Sequence, residues 1–94
     1  MTLAEHSTLL EDERVSVHRF DFLPGDETGQ HRHARPYVIV PLTNGVLDII
    51  DDETGKARVS LEHGVPYSRP KGVSHNVINA SENPLSFLEI EIKS

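Results

Sequence analysis

Short alternating runs, each cut off by glycine, proline or an acidic turn, constrain this chain more than any other feature. Arg14 to Leu23 places Val15 and Val17 on one side and His18, Phe20 and Phe22 on the other, and Pro24-Gly25-Asp26 stops it. Gln30 to His33 reads as a short strand, and Pro36 interrupts before Tyr37 to Val40. Pro41 lacks the N–H that a central strand needs, so that strand is expected to lie at an edge, to bulge or to end there. Thr43-Asn44-Gly45 carries the signal of a hairpin turn, and Val46 to Ile50 follows it. Asp51-Asp52-Glu53-Thr54-Gly55 is a second turn, lacking the alternating ligand spacing of a calcium loop, so a solvated hairpin tip is expected. Lys56 to Leu61, Val65 to Arg69, Val73 to Asn79 and Leu85 to Ile92 complete the set, the last setting Leu85, Phe87, Glu89 and Glu91 against Ser86, Leu88, Ile90 and Ile92. Seven or eight antiparallel strands at this spacing predict an all-β sandwich or barrel. The stretch 1–13 is polar apart from Leu3, Leu9 and Leu10, and is expected to be an N-terminal arm or a short turn of helix.

The chain has 94 residues, 36 % of them hydrophobic, with no tryptophan and no cysteine. That is one domain near the small end of what buries enough surface alone, and pairing into a homodimer would relieve the shortage. Without cysteine there is no disulfide scaffold, thiolate metal site or thiol chemistry. Met1 to Leu10 lacks the basic start and apolar run of a secretion signal, which together with the absent cysteines predicts a cytoplasmic protein. A net charge of −6 argues against nucleic acid and membrane surfaces as partners. Arg32, Arg35, Arg69 and Lys71 nonetheless cluster in the two segments that carry histidine pairs or motifs.

His31 and His33 are two apart, so a strand turns both imidazoles to one face, and a third from His75 on a neighbouring strand would complete one side of a metal's coordination sphere. Neutral imidazole is the commonest protein ligand for mid-row divalent metals. The alternative is a polar pocket without metal. His6, His18 and His63 are expected to be ordinary surface or half-buried residues, and Gln30 falls on the opposite face from His31.

Gly64, Pro70, Gly72, His75 and Asn79 stand at every spacing of the pattern Gly-x5-Pro-x-Gly-x2-His-x3-Asn. At average usage the Gly, Pro and Gly part alone is about a 1-in-4,000 coincidence per start position. Gly25, His31 and His33 match the start of Gly-x5-His-x-His-x3,4-Glu-x6-Gly; Tyr37 stands where that pattern has its carboxylate, and the closing glycine, Gly45, comes one residue late. In these two segments, 25–45 and 64–79, the chain resembles the cupin superfamily, small jelly-roll β-barrels also described as a double-stranded β-helix. Val40-Pro41-Leu42-Thr43 and Tyr67-Ser68-Arg69-Pro70 look like segments of small bacterial cupins linked to β-alanine degradation.

The resemblance implies a single cupin domain over 1–94, with a divalent metal ion (Fe, Zn, Mn or Ni) held by His31, His33 and His75. Without the carboxylate the metal keeps its full +2 charge, which favours a small anionic substrate and further lowers the pKa of bound water. Three-histidine relatives include iron-dependent dioxygenases, so the activity expected is oxygenation of a small carboxylate-bearing metabolite. In that reading Tyr37 orients the intermediate and Arg69 or Arg35 clamps the carboxylate. Tyr37 could otherwise ligate the metal or only fill space. The alternatives are non-redox isomerisation or hydrolysis with the metal as Lewis acid, and ligand binding without turnover.

Overall fold

A computed structural model describes residues 2–93. It contains nine strands and, among the described residues, no helix: β1 (Glu5–Glu11), β2 (Val15–Phe22), β3 (His31–Arg32), β4 (Tyr37–Pro41), β5 (Gly45–Asp51), β6 (Gly55–Leu61), β7 (Tyr67–Arg69), β8 (Ser74–Asn79) and β9 (Leu85–Ile92). They form a five-stranded sheet, β1-β2-β9-β4-β7, and a four-stranded sheet, β3-β8-β5-β6, with every ladder antiparallel. This is the all-β jelly roll expected.

The period-2 patterns decide which residues enter the core. Phe22, Ile39, Leu85 and Phe87 face in from the larger sheet, and Leu47, Leu61 and Val77 from the smaller. Phe22 and Phe87 meet at 5.3 Å between ring centroids, and Phe20 extends the group. Burying each such ring contributes about 2–3 kcal/mol, so these few aromatics carry much of a small core.

Two segments differ in detail from what their sequence suggests. The polar start is a strand: β1 pairs with β2 over Glu5↔Asp21 to Glu11↔Ser16 and slips register between Thr8 and Leu10. That bulge spoils the alternation by which a strand is recognised, and an edge strand with one neighbour needs little apolar content. Thr43-Asn44-Gly45 is also no hairpin turn, because β4 lies in the larger sheet and β5 in the smaller. Gly45 serves there by close approach: a Cβ would collide with the fully buried Leu85 side chain. Pro41, as expected, closes its strand beyond the last rung with β7.

Asn79 closes the second motif as a structural residue. Its side-chain nitrogen donates to the carbonyls of Phe22 (3.3 Å) and Asn83 (2.9 Å), and its oxygen accepts from the Ser81 N–H at 2.9 Å. These bonds tie the ends of β2 and β8 to the following turn. Asn79→Ala leaves those buried groups unpaired and is expected to cost about 2 kcal/mol, lowering Tm by about 10 °C in a thermal melt.

Candidate metal centre

β3 pairs with β8 so that His31 stands directly opposite His75. His33 lies just past β3 and is tied down by its own backbone, its N–H donating to Val73 at 2.8 Å and its carbonyl accepting from Gly72 at 2.7 Å. Gly72 makes that bond at φ +94°, a backbone conformation other residues rarely adopt. The second motif therefore positions His33 as well as His75.

The three imidazoles converge through Nε2. His31 and His33 are 2.9 Å apart there, and His33 and His75 3.2 Å. For nitrogen ligands about 2.1 Å from a metal, adjacent corners of an octahedron are about 3.0 Å apart and of a tetrahedron about 3.4 Å. The two observed spacings lie close to these values, and the ligand atoms of all three histidines lie within 4.8 Å of one another. His31 Nδ1 donates to the Gly29 carbonyl at 2.8 Å, which fixes the tautomer and turns the Nε2 lone pair toward its neighbours. Burial, and then the neighbouring His31, pull His33 and His75 down to about 4, so both rings are neutral and free to ligate at neutral pH.

Tyr37 and Arg69 join the histidines, and Arg35 does not. A small cavity of about 20 Å³ is lined by His31, His75, Tyr37, Arg69, Tyr67 and Glu89, with apolar side chains beneath. That is room for about one water. The chain crosses between sheets at Pro36, so Tyr37 faces the histidines from β4 and not from their own strand. Its ring lies flat on His33 at 3.8 Å, and its hydroxyl is buried with no hydrogen-bond partner among the described residues. Burial pushes the phenol above its ordinary range, so it is a neutral donor lacking an acceptor. Arg69 stands opposite Tyr37 on β7, its guanidinium 5.0 Å over the Tyr67 ring, and among the described residues pairs with no carboxylate. Arg35 is exposed, bonded to the Lys93 carbonyl and paired with Glu91 away from the cavity. Gln30 points outward to Asp52 and Ser74, as its parity indicated.

One residue of the site went unrecognised. Glu89, on β9, sets its carboxylate 3.8 Å from His33 Nε2. Burial, and then the nearby Glu91, push it up to about 7. The signal was present, since Glu89 alternates in phase with Leu85 and Phe87 and an acid on a core face calls for a partner. Motif spacing drew attention to position 37 instead.

The fit to a divalent cation rests on these observations: three imidazoles whose ligand atoms lie within 4.8 Å of one another, and a buried phenol donor left unpaired beside them. Together with the two-sheet barrel they define a class, and the chain belongs to the cupin superfamily. It is 45 % identical over 84 residues to BauB, a beta-alanine degradation protein of Pseudomonas aeruginosa PAO1, covering 89 % of this chain and 87 % of that one. The crystal structure of a cupin domain from Bordetella pertussis Tohama I superposes with a TM-score of 0.94 at 46 % identity, covering 99 % of this chain and 96 % of that one. An RmlC-like cupin with a double-stranded β-helix fold from Methanocaldococcus jannaschii shares the fold alone, at TM-score 0.80 and 13 % identity over 98 % of this chain and 82 % of that one. No family model matches the chain.

Proposed function

We propose that this chain is a metal-dependent cupin acting on a small carboxylate-bearing metabolite of β-alanine breakdown, by iron-dependent dioxygenation. The convergence of the three imidazoles carries the reading, and the similarity to BauB supports the pathway. A divalent metal in that position supplies a Lewis acid with open sites for substrate and O₂. The residues around it divide the remaining work. Arg69, paired with no carboxylate among the described residues and beside His75 in both the inner cavity and the groove outside it, receives the substrate carboxylate by a charge-assisted bond. Tyr37 offers its orphan hydroxyl to an oxygen of the bound substrate, and the Phe20, Phe87 and Ile39 wall keeps water out. The cavity as it stands holds about one water, so Arg69 or Tyr67 swings aside on entry. The same reading places the protein in the cytoplasm as a homodimer. The open edge of β1, with Leu9 and Leu10 exposed, supports the pairing. Among the described residues no helix is long and apolar enough to cross a membrane.

O₂ uptake by the Fe²⁺-loaded protein, offered three- and four-carbon amino, keto and thiol acids, is the test. One acid should consume oxygen, and Arg69→Gln should raise its KM about tenfold with a smaller change in kcat. Turnover with Zn²⁺ or Mn²⁺ and no oxygen uptake would assign a non-redox reaction instead. Binding without turnover on any metal would make it a ligand-binding cupin.

A further inference from the structure

We propose that Glu89 is a fourth protein ligand of the metal held by His31, His33 and His75, supplying from β9 the carboxylate that position 37 lacks. The inference rests on the metal-site reading above and adds a residue to it.

Three observations lead there. The first is placement. β9 is the central strand of the larger sheet, and Glu89 sits in register between His18 on β2 and Ile39 on β4. Tyr37 is paired with Glu91, so Glu89 is its diagonal neighbour on the same face, one strand across. A carboxylate moved from β4 to β9 still faces the same imidazoles across the barrel. The second is the state of the carboxylate. It is only 14 % exposed, and among the described residues no donor bonds to it. The other well-buried acids are all supported: Asp48 by Arg58, Asp26 by the Leu23 N–H, and Glu27 by Asn76. An ionised carboxylate left bare in such a site costs several kcal/mol unless a cation meets it. Among the described residues the only side chain within ion-pair reach is His33, and protonating that ring would remove it from the ligand set.

The third observation is distance. Oε1 lies 3.8 Å from His33 Nε2, less than an ångström beyond the spacing of adjacent octahedral ligands, about 3.0 Å. Rotation about the flexible Glu89 side chain covers that gap without moving the strand. Tyr37 cannot take the place, because its ring is stacked face-on against His33. With Glu89 bound, the centre carries a net +1 charge instead of +2, and two positions of an octahedral metal stay open instead of three. The substrate carboxylate then belongs on Arg69, not on the metal, leaving one metal position for the reacting oxygen or sulfur of the substrate and one for a second ligand.

The test compares Zn²⁺ and Co²⁺ binding by the full chain, wild type, Glu89→Gln, Glu89→Asp and His75→Ala, with calorimetric affinities and the visible spectrum of the Co²⁺ form. Glu89→Gln should weaken binding about 10- to 100-fold and shift the Co²⁺ bands, while the metal-free variant melts no lower than wild type. Glu89→Asp keeps the charge but withdraws it by one methylene, and should fall between the two; it also serves if the glutamine variant misfolds. Wild-type affinity and an unchanged Co²⁺ spectrum in Glu89→Gln would overturn the assignment while leaving the three histidines intact. If wild type itself binds no metal, and His75→Ala behaves identically, the metal-site reading falls along with it.

Discussion

His75→Ala should abolish stable metal binding, lowering the affinity for Zn²⁺ or Co²⁺ by about a thousandfold or more. His75 stands opposite His31 in the ladder, with its Nε2 3.2 Å from that of His33, so no other imidazole can swing into the vacancy. Losing an outer partner of a metal ligand already costs about 10- to 100-fold, and losing the ligand itself costs more. The fold should survive, because the core below the site is built from Phe22, Leu47, Leu85 and Phe87. Elemental analysis of protein purified without added metal, with circular dichroism as the check on folding, reads this directly. Equal metal content in wild type and variant would remove His75 from the centre.

Acid should unfold the metal-free protein over an unusual range. The unfolded chain takes up protons on its imidazoles near 6.5, while the folded protein holds His33 and His75 neutral down to about 4. Stability from these two groups is therefore fully present above 6.5 and is lost as pH falls toward 4. Glu89 works in the opposite direction. It keeps its proton up to about 7 when folded and loses it near 4.5 when unfolded, so its contribution falls as pH rises through that interval. Two imidazoles against one carboxylate leave a net uptake of about one proton on unfolding between 4.5 and 6.5. Integrated over that range, stability drops by about 2–3 kcal/mol on acidification. Aspartates held low by their partners, such as Asp21 and Asp48, lose most of their contribution at lower pH, below the ordinary carboxylate value of 3.8, and so add little over this range. Urea unfolding in EDTA from pH 4.5 to 7 measures the slope. Glu89→Gln removes the opposing group and should roughly double it; a flat profile in both proteins would show that the imidazoles are not held neutral.

Much of the architecture is legible along the chain because both its periodicities are local. Phe20 with Phe22, Leu85 with Phe87, and His31 with His33 declare a common face by spacing of two, and folding leaves those relations unchanged. The second motif is legible for a similar reason. Gly72 and His75 are three residues apart, and the turn that bonds to His33 and the strand that carries His75 form one continuous segment. Strand β1 escapes notice because its bulge and its polar edge hide the alternation. The turn at 43–45 misleads because a tight turn between two apolar runs looks the same whether the chain returns within a sheet or crosses to the facing one.

The site divides along the same line. The kinds of group that meet (three imidazoles, a tyrosine, an arginine) and their intervals are properties of the covalent chain, and so the class of chemistry was open to reading. Which of them meet is a matter of strand order. Arg35 and Arg69 look equivalent as cations near a motif, yet β7 carries one to the cavity while the other pairs with Glu91 outside it. Glu89, more than fifty residues from His33 along the chain, reaches it because β9 is laid between β2 and β4. Strand order is settled by long-range burial of apolar faces, a global free-energy balance that no local spacing records. For that reason position 37 showed a carboxylate missing, and the folded barrel alone revealed one facing the same histidines.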